Sequence, residues 1–330
     1  MKSPDKSKLH PAGSVEKQYK EMEEDLSFYW DKNQNSLDPK KVKKVACSLC
    51  GADNDPTKTQ IFIKFVFPYV KCGNCGMVYP NPRPKTEYIN EQYVNGRFSK
   101  SFEEIYLPSA KYRMETIFKE RVVDIIMPRL QSGSILDIGC SSGHFLKVAF
   151  EKGFDVHGIE PNPKMVKFAT NELGLPNIHH GTTENVDLGE NVFDAITLWD
   201  VIEHVENPSS LLQFVYKSLK PGGWVFAYTE NFESFNYFIT GGLSEMFSAD
   251  VHLRHYTPET FEKEFVKAGF KVRDIMTKGL DVQHIKTISK VYQKEFADLE
   301  LDFIFNNSDD IQESINSTKK GDNLRLFAQK

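Results

Sequence analysis

The chain has no apolar run near the roughly 18 residues that a helical membrane span needs. Its opening, MKSPDKSKLHPAGSVEK, is polar and lacks the apolar core of a secretory signal. An excess of either charge is also missing: 41 Lys and Arg stand against 46 Asp and Glu, a formal charge of −5. A mildly acidic chain is not built as a general nucleic-acid binder. No internal repeat or low-complexity tract occurs, which excludes solenoids and arrays. Cysteine is scarce, five residues in 330, and four of them form two CxxC pairs. That usage fits metal binding in a reducing compartment better than secreted disulfides, so the expected setting is cytoplasmic.

What is present divides the chain into four stretches. Residues 1–44 are rich in Lys, Glu, Asp and Ser, end in Pro39-Lys40-Lys41-Val42-Lys43-Lys44, and read as a flexible charged extension, frayed or partly helical. Residues 45–84 are punctuated by Gly and Pro, and the apolar stretch 61–70 suits a β-hairpin or ribbon. Residues 85–130 read as a helical linker or lid, because Met114, Ile117, Phe118, Val122, Ile125 and Ile126 recur near a 3.6-residue period. From 131 to 330 strands and helices alternate. Strands are expected over 135–138, 155–160, 178–180, 193–199, 224–228, 270–276 and 323–329. Helices are expected over 145–151, 163–173, 209–219 and 258–268, and 280–322 reads as a helical insertion before the last strand. The alternation predicts an α/β fold with a Rossmann-like, doubly wound sheet of seven strands.

Cys47-Ser48-Leu49-Cys50-Gly51 and Cys72-Gly73-Asn74-Cys75-Gly76 repeat one pattern. Two intervening residues let both thiolates reach one metal from a tight knuckle, and the following Gly supplies the backbone freedom of the turn. Cys47, Cys50, Cys72 and Cys75 thus match a closed, structural Zn²⁺ site, with an iron site or two redox pairs as the alternatives. A small ribbon buries little core, so holding itself together is reason enough for the metal.

Ile135-Leu136-Asp137-Ile138-Gly139-Cys140-Ser141-Ser142-Gly143-His144 lies where the first strand of the alternation gives way to a helix. Small side chains at 139, 141 and 143 let a ligand approach the backbone. Glu160, at the end of the next strand, can accept both hydroxyls of a ribose. Dinucleotide enzymes use GxGxxG; here the pattern is DxGxSxG, whose leading acid suits a cationic ligand better than a pyrophosphate.

These residues resemble the class I S-adenosylmethionine-dependent methyltransferases. The likeness runs in order through 137–143, Gly158-Ile159-Glu160-Pro161, Gly181-Thr182-Thr183-Glu184, Phe193-Asp194-Ala195-Ile196 and Leu219-Lys220-Pro221-Gly222-Gly223. It covers roughly 130–280 and the last strand. The resemblance implies that Asp137, Gly139, Cys140, Ser141 and Gly143 form the turn at the methionine end of S-adenosylmethionine. It further implies Glu160 and Pro161 at the ribose, Thr183 and Glu184 beside adenine, and Asp200 in the wall of the same pocket. Thr182 stands where the family usually has Asp, and Ser141 where it usually has Gly. Cys140 reads as a space-filler, with a reactive thiol as the alternative.

Methyl transfer from a sulfonium draws mainly on orientation, and a hydroxyl acceptor must also lose a proton. In Trp199-Asp200-Val201-Ile202-Glu203-His204, the offsets of zero, three and four would place Asp200, Glu203 and His204 on one face of a helical turn. His204 is then the candidate base with Glu203 orienting it, or both complete the pocket wall. The trio also resembles the acid-x-x-Glu-His metal site of ubiquinone-biosynthesis O-methyltransferases, a set suited to Mg²⁺ or Mn²⁺. A second cluster, Asp250-Val251-His252-Leu253-Arg254-His255-Tyr256-Thr257, resembles a segment of bacterial cell-envelope sugar methyltransferases. That implies His252, His255 and Tyr256 facing the acceptor, while Thr257 capping the next helix explains the segment's end without chemistry. The implied acceptor is a small molecule or saccharide, methylated at a hydroxyl oxygen. Two readings compete: an RNA methyltransferase whose ribbon interleaves Lys58, Lys64, Lys71, Arg83 and Lys85 with Phe62, Phe65, Phe67 and Tyr69, and a silent module that keeps the fold for assembly.

Overall fold

A computed structural model describes residues 4–10, 13–94, 96–297 and 299–330. Parts of the expected extension (1–3 and 11–12), Asn95 and Asp298 lie outside the described residues. The chain divides into two compact units, Met1–Gln92 with Glu230–Phe261 and Met276–Leu324, and Tyr93–Thr229 with Glu262–Ile275 and Arg325–Lys330.

The second unit is built on a seven-stranded sheet. Its strands are β1 (Ser134–Ile138), β2 (Asp155–Glu160), β3 (Asn177–His180), β4 (Phe193–Trp199), β5 (Leu219–Glu230), β6 (Lys271–Thr277) and β7 (Asn323–Gln329). The spatial order is β3-β2-β1-β4-β5-β7-β6. The pairs β3–β2, β2–β1, β1–β4 and β4–β5 run parallel. Ile135, Leu136, Ala195, Ile196, Leu198, Val225 and Phe226 are fully buried, as strands covered on both faces require. The strand order reverses between β1 and β4, and doubly wound sheets bind ligands at the carboxyl ends beside such a switch. Helices α1 (His144–Glu151), α2 (Pro163–Asn171) and α3 (Pro208–Ser218) follow β1, β2 and β4. Asn162 and Asn207 start the last two: each side chain accepts from a first-turn N–H, and a Pro follows where the helix needs no donor.

The stretch before β1 is helical as the period predicts, but it widens three times into π-helical turns, Phe102–Tyr106, Met114–Phe118 and Arg121–Ile126. Val122, Ile125 and Ile126 bury the expected stripe. Asn162 binds this stretch as well, its Nδ2 donating to the Tyr93 carbonyl at 2.9 Å.

In the first unit, residues 14–27 of the expected extension take its helical alternative and are not frayed. The helix Ser14–Ser27 buries Val15, Tyr19, Met22 and Leu26. They share one core with Phe67, Tyr69 and Val78 of the ribbon and with Phe232, Phe247 and Ile288. The charges that suggested a tail are the outer face of an amphipathic helix. The hairpin expected over 61–70 is formed by Gln60–Lys64 and Phe67–Lys71, with Val78–Pro80 as a third antiparallel strand. Residues 280–322, read as an insertion in the sheet domain, are helical over Asp281–Val291, Asp302–Asn306 and Ser308–Ser317 but belong to this first unit. Among the described residues, no helix is long and apolar enough to cross a membrane.

Candidate active site and metal centre

β1 delivers Asp137 to the turn 139–143. Gly139 and Gly143 take φ of +71° and +78°. A Cβ at 139 would lie 2.9 Å from Val201, and one at 143 would lie 2.6 Å from Leu175, so conformation and space both demand glycine. Ser141 accepts the same left-handed region, at φ +50°. The backbone N–H of Gly139 donates to the Ile159 carbonyl at 2.8 Å. Glu160 knits this turn to the end of β2: its carboxylate accepts from Ser141 N at 2.9 Å and Asn162 N at 2.8 Å. Glu160 is 7% exposed. Burial raises its pKa to about 7 even though both N–H groups oppose the shift. Asp137 lies beneath the turn, 2% exposed, and accepts from Thr197 Oγ1 of β4 at 2.6 Å. Burial lifts it to about 7 as well, opposed by Thr197 and by the nearby Arg121 charge.

These raised carboxyls make the ligand-free unit pH-sensitive in a defined direction. Each binds its proton more tightly folded than unfolded, so its contribution to stability is complete below about pH 4 and is lost as the pH rises through about 7. The melting temperature of ligand-free protein should therefore fall between pH 5 and 7, and Glu160→Gln should flatten that fall. Thermal melts across this range check it; an equal slope in the variant contradicts it.

Cys140 is buried, and a Cβ at Gly158 would come within 2.5 Å of its sulfur, so the thiol fills the space that Gly158 leaves. Burial also pushes its pKa well up, which removes the thiolate a reactive cysteine needs. Pro161 is half-buried, and its carbonyl lies 3.0 Å from His180 Nε2. Thr183 is half-buried and Glu184 exposed, on a loop that Thr182 and Asn185 close: Thr182 N donates to Asn185 Oδ1 at 2.8 Å.

Beyond β4 the expected helical turn does not form. Asp200 has a left-handed backbone at φ +56°, which takes the chain out of helical geometry before Glu203. Glu203 is 2% exposed, whereas the Asp200 side chain is 45% exposed. Among the described residues, only the four cysteines bring three or more candidate ligand atoms within 4.8 Å of one another. Asp200, Glu203 and His204 therefore do not assemble the expected Mg²⁺ or Mn²⁺ site. His204 is half-buried in a turn closed by its N–H to Val201 O at 3.0 Å, its ring edge-on to Tyr93 with centroids 5.9 Å apart.

Arg121 was not singled out from the sequence. Its guanidinium lies 4.7 Å from the Trp199 ring and 4.9 Å from Tyr228, with the Asp200 carboxylate 3.6 Å away. It places a cation at the carboxyl ends of β4 and β5. The signal for it was a lone Arg on the apolar stripe, four residues after Ile117 and four before Ile125.

In the first unit the sulfurs of Cys47 and Cys75, and of Cys50 and Cys72, approach to 3.5 Å. A tetrahedral Zn²⁺ with bonds of about 2.3 Å separates its sulfurs by about 3.8 Å, so the four thiols fit one ion with no open position. Gly51 and Gly76 carry the positive φ of the two knuckles, +76° and +81°, each donating to the first cysteine's carbonyl. Burial pushes the Cys47 thiol up to about 11. Burial also opposes ionisation of Cys72, but the N–H groups of Cys75 and Asn74 and the Asn54 amide outweigh it and bring Cys72 down to about 6.

His252 and His255 also lie in the first unit. His252 Nδ1 is 2.6 Å from the Met246 carbonyl and 3.1 Å from the Glu230 carboxylate. His255 is wholly buried; that burial, with His252, Lys64 and Arg254 nearby, pushes its pKa well below 6.5 and keeps it neutral. Arg254 donates to Ser48 Oγ inside the first knuckle at 3.1 Å. Tyr256, expected to face an acceptor, is instead fully buried against Phe261. Thr257 caps the helix Pro258–Lys267, its Oγ1 accepting from Thr260 N at 3.2 Å.

A family model described as a methyltransferase domain matches residues 111–275. The chain is 36% identical over 115 residues to a ubiquinone biosynthesis O-methyltransferase of Paracidovorax citrulli, covering 33% of this chain and 48% of that protein. It is 28% identical over 167 residues to the protein of the same description from Leptothrix cholodnii, covering 48% and 68%. The chain thus spans about half the length of the first of these relatives. Among solved structures, a Thermotoga maritima protein described as a SAM-dependent methyltransferase, possible histamine N-methyltransferase, aligns with TM-score 0.48 and 18% identity, covering 74% of this chain and 99% of that one.

Proposed function

The chain belongs to the methyltransferase-domain family as a class I S-adenosylmethionine-dependent enzyme, and from that premise we propose that it methylates a hydroxyl oxygen of a small molecule or saccharide. The observation that carries this reading is the buried Glu160 carboxylate, tied to the glycine turn at the end of β2. Such a carboxylate can accept the two ribose hydroxyls of the cofactor. Arg121 would hold the methionine carboxylate, the turn 139–143 would follow the amine and sulfonium end, and Thr183 and Glu184 would border adenine. When bound, S-adenosylmethionine supplies an electrophilic methyl group. His204 takes the acceptor's hydroxyl proton. Cys47, Cys50, Cys72 and Cys75 hold one structural Zn²⁺. The O-methyltransferase descriptions of the relatives support oxygen as the methylated atom.

The RNA reading needs exposed aromatics beside cations on the ribbon; Lys58 and Lys71 are exposed, but Phe67 and Tyr69 are buried, Phe62 and Phe65 half-buried, and Lys64 and Arg83 buried. This favours a small acceptor. A reducing compartment such as the cytoplasm suits four thiols that share one metal.

Glu160→Ala should weaken S-adenosylmethionine binding by about 1.5–3 kcal/mol, or about 10- to 150-fold. Titration calorimetry is the test. Unchanged affinity in the variant, or tight binding of a nicotinamide cofactor by the unmodified protein, overturns the cofactor assignment.

A further inference from the structure

We infer that Asn54 is a positioning residue of the metal centre: its side-chain amide ties the two cysteine knuckles together, supports the Cys72 thiolate, and so sets how tightly the ion is held. The inference rests on the metal-binding role proposed above for Cys47, Cys50, Cys72 and Cys75.

Asn54 follows the first knuckle in the chain, is 7% exposed, and reaches across to the second. Its Oδ1 accepts from the Gly73 N–H at 3.2 Å, and its Nδ2 donates to Cys72 Sγ at 3.3 Å. Nδ2 also lies 3.1 Å from the Ala52 carbonyl and 3.0 Å from the Tyr79 hydroxyl. The neighbours decide which end of the amide faces which way. A backbone N–H only donates, so the atom facing Gly73 is the oxygen, and the atom facing Cys72 is the nitrogen. Three acceptors then share the two hydrogens of Nδ2. Of the three, a metal-bound thiolate alone carries charge, and it makes the strongest claim on a donor.

Four thiolates around one divalent ion leave an excess of negative charge. Cys47 and Cys72 are each 2% exposed, so on that side water offers few hydrogens and the protein must supply them. The Asn54 amide does so at Cys72, while its bond to Gly73 fixes the second knuckle where sulfur and donor meet. Groups that hydrogen-bond to metal ligands orient them, and losing one typically costs about 10- to 100-fold in metal affinity. The sequence hides this role, because an Asn in Gly51-Ala52-Asp53-Asn54-Asp55 reads as a turn residue. As a turn residue alone, Asn54 would serve only as the acceptor for Gly73.

The test compares full-length protein, loaded with Zn²⁺ or with Co²⁺, with Asn54→Asp and Asn54→Ala. Asp keeps an oxygen for Gly73 but turns a second carboxylate oxygen toward the Cys72 sulfur. Ala loses both bonds and adds no charge. In competition with a chromogenic chelator, Asn54→Asp should hold Zn²⁺ about 10- to 100-fold more weakly than the unmodified protein, and more weakly than Asn54→Ala. A residue that only holds Gly73 gives the opposite order. In the Co²⁺ protein the sulfur-to-metal charge-transfer band should move to longer wavelength in both variants, because a sulfur without its N–H gives up an electron more readily. Asp53→Asn, at the exposed neighbour, should change neither reading. Unchanged Zn²⁺ affinity in Asn54→Asp, an Ala variant weaker than the Asp variant, or an unmoved Co²⁺ band overturns the inference. Should Asn54→Asp fail to fold, the Co²⁺ band of Asn54→Ala decides alone. Unmodified protein that takes up neither ion defeats the metal centre and this inference with it, whereas variants that match the unmodified protein defeat the inference and leave the metal centre standing.

Discussion

Cys72→Ser protein is expected to contain no zinc and to have an unfolded first unit, against about one Zn²⁺ per chain in the unmodified protein. A structural zinc site contributes on the order of 10 kcal/mol to folding, comparable with the whole stability of a domain. The damage should not stop at the ribbon. Phe67, Tyr69 and Val78 share a core with Tyr19, Met22 and Leu26 of the helix Ser14–Ser27 and with Phe247. A ribbon with a core of its own would fail alone; this one carries the rest of the first unit with it. The second unit has a separate core around Ile135, Phe145, Ala195 and Phe226 and should still bind S-adenosylmethionine. Elemental analysis, limited proteolysis and calorimetry on one preparation read these outcomes together. Unmodified protein, purified without chelators, that contains neither zinc nor iron would sink the metal assignment.

His204→Ala should reduce turnover by roughly 10²–10⁴-fold, the usual contribution of a positioned base. That is about 2.7–5.5 kcal/mol of barrier. Cofactor affinity should barely change, because Asp137, Glu160 and the glycine turn are untouched. The pH–rate profile of the unmodified enzyme should show a limb from the imidazole, and the variant should lack it. Since Asp200, Glu203 and His204 do not converge on a common ligand point, added Mg²⁺ or Mn²⁺ should not raise the rate. Full activity in His204→Ala would leave orientation of the reactants as the main catalytic device.

Strands that alternate with helices and are bounded by turn residues are legible from sequence to the residue: Asp155–Glu160, Phe193–Trp199 and Asn323–Gln329 have the expected limits. β5 begins five residues earlier than its apolar run because Leu219 pairs with Phe193 ahead of a register shift, before the Gly222-Gly223 turn. The helix Ser14–Ser27 was obscured by its own surface: ten of its fourteen residues are solvent-side or partly so, and the four that bury show only as a spacing. The allegiance of 280–322 to the first unit depends on packing with segments more than two hundred residues away, such as Lys6 N–H to Gln283 at 2.7 Å, which no local pattern encodes. At the site, glycine and acid positions were legible because ligand approach constrains residue type. The Asp200–His204 geometry was not, because spacing alone assumes a helix and Asp200 takes a left-handed backbone instead. Arg121 was hidden by its neighbours, whose apolar period gives packing as a sufficient reason for the stripe.

The central claim is methyl transfer from S-adenosylmethionine to a hydroxylated small molecule, and the distribution of methyl label tests it most directly. Protein incubated with methyl-labelled S-adenosylmethionine should be supplied with a hydroxylated-metabolite and nucleotide-sugar fraction in one arm and total RNA in the other. Label should enter the small-molecule arm as an O-methyl ether, matched mole for mole by S-adenosylhomocysteine, and should be abolished in the Glu160→Ala, His204→Ala double variant. Label confined to RNA, or no transfer in either arm by zinc-loaded protein that binds the cofactor, would contradict the account.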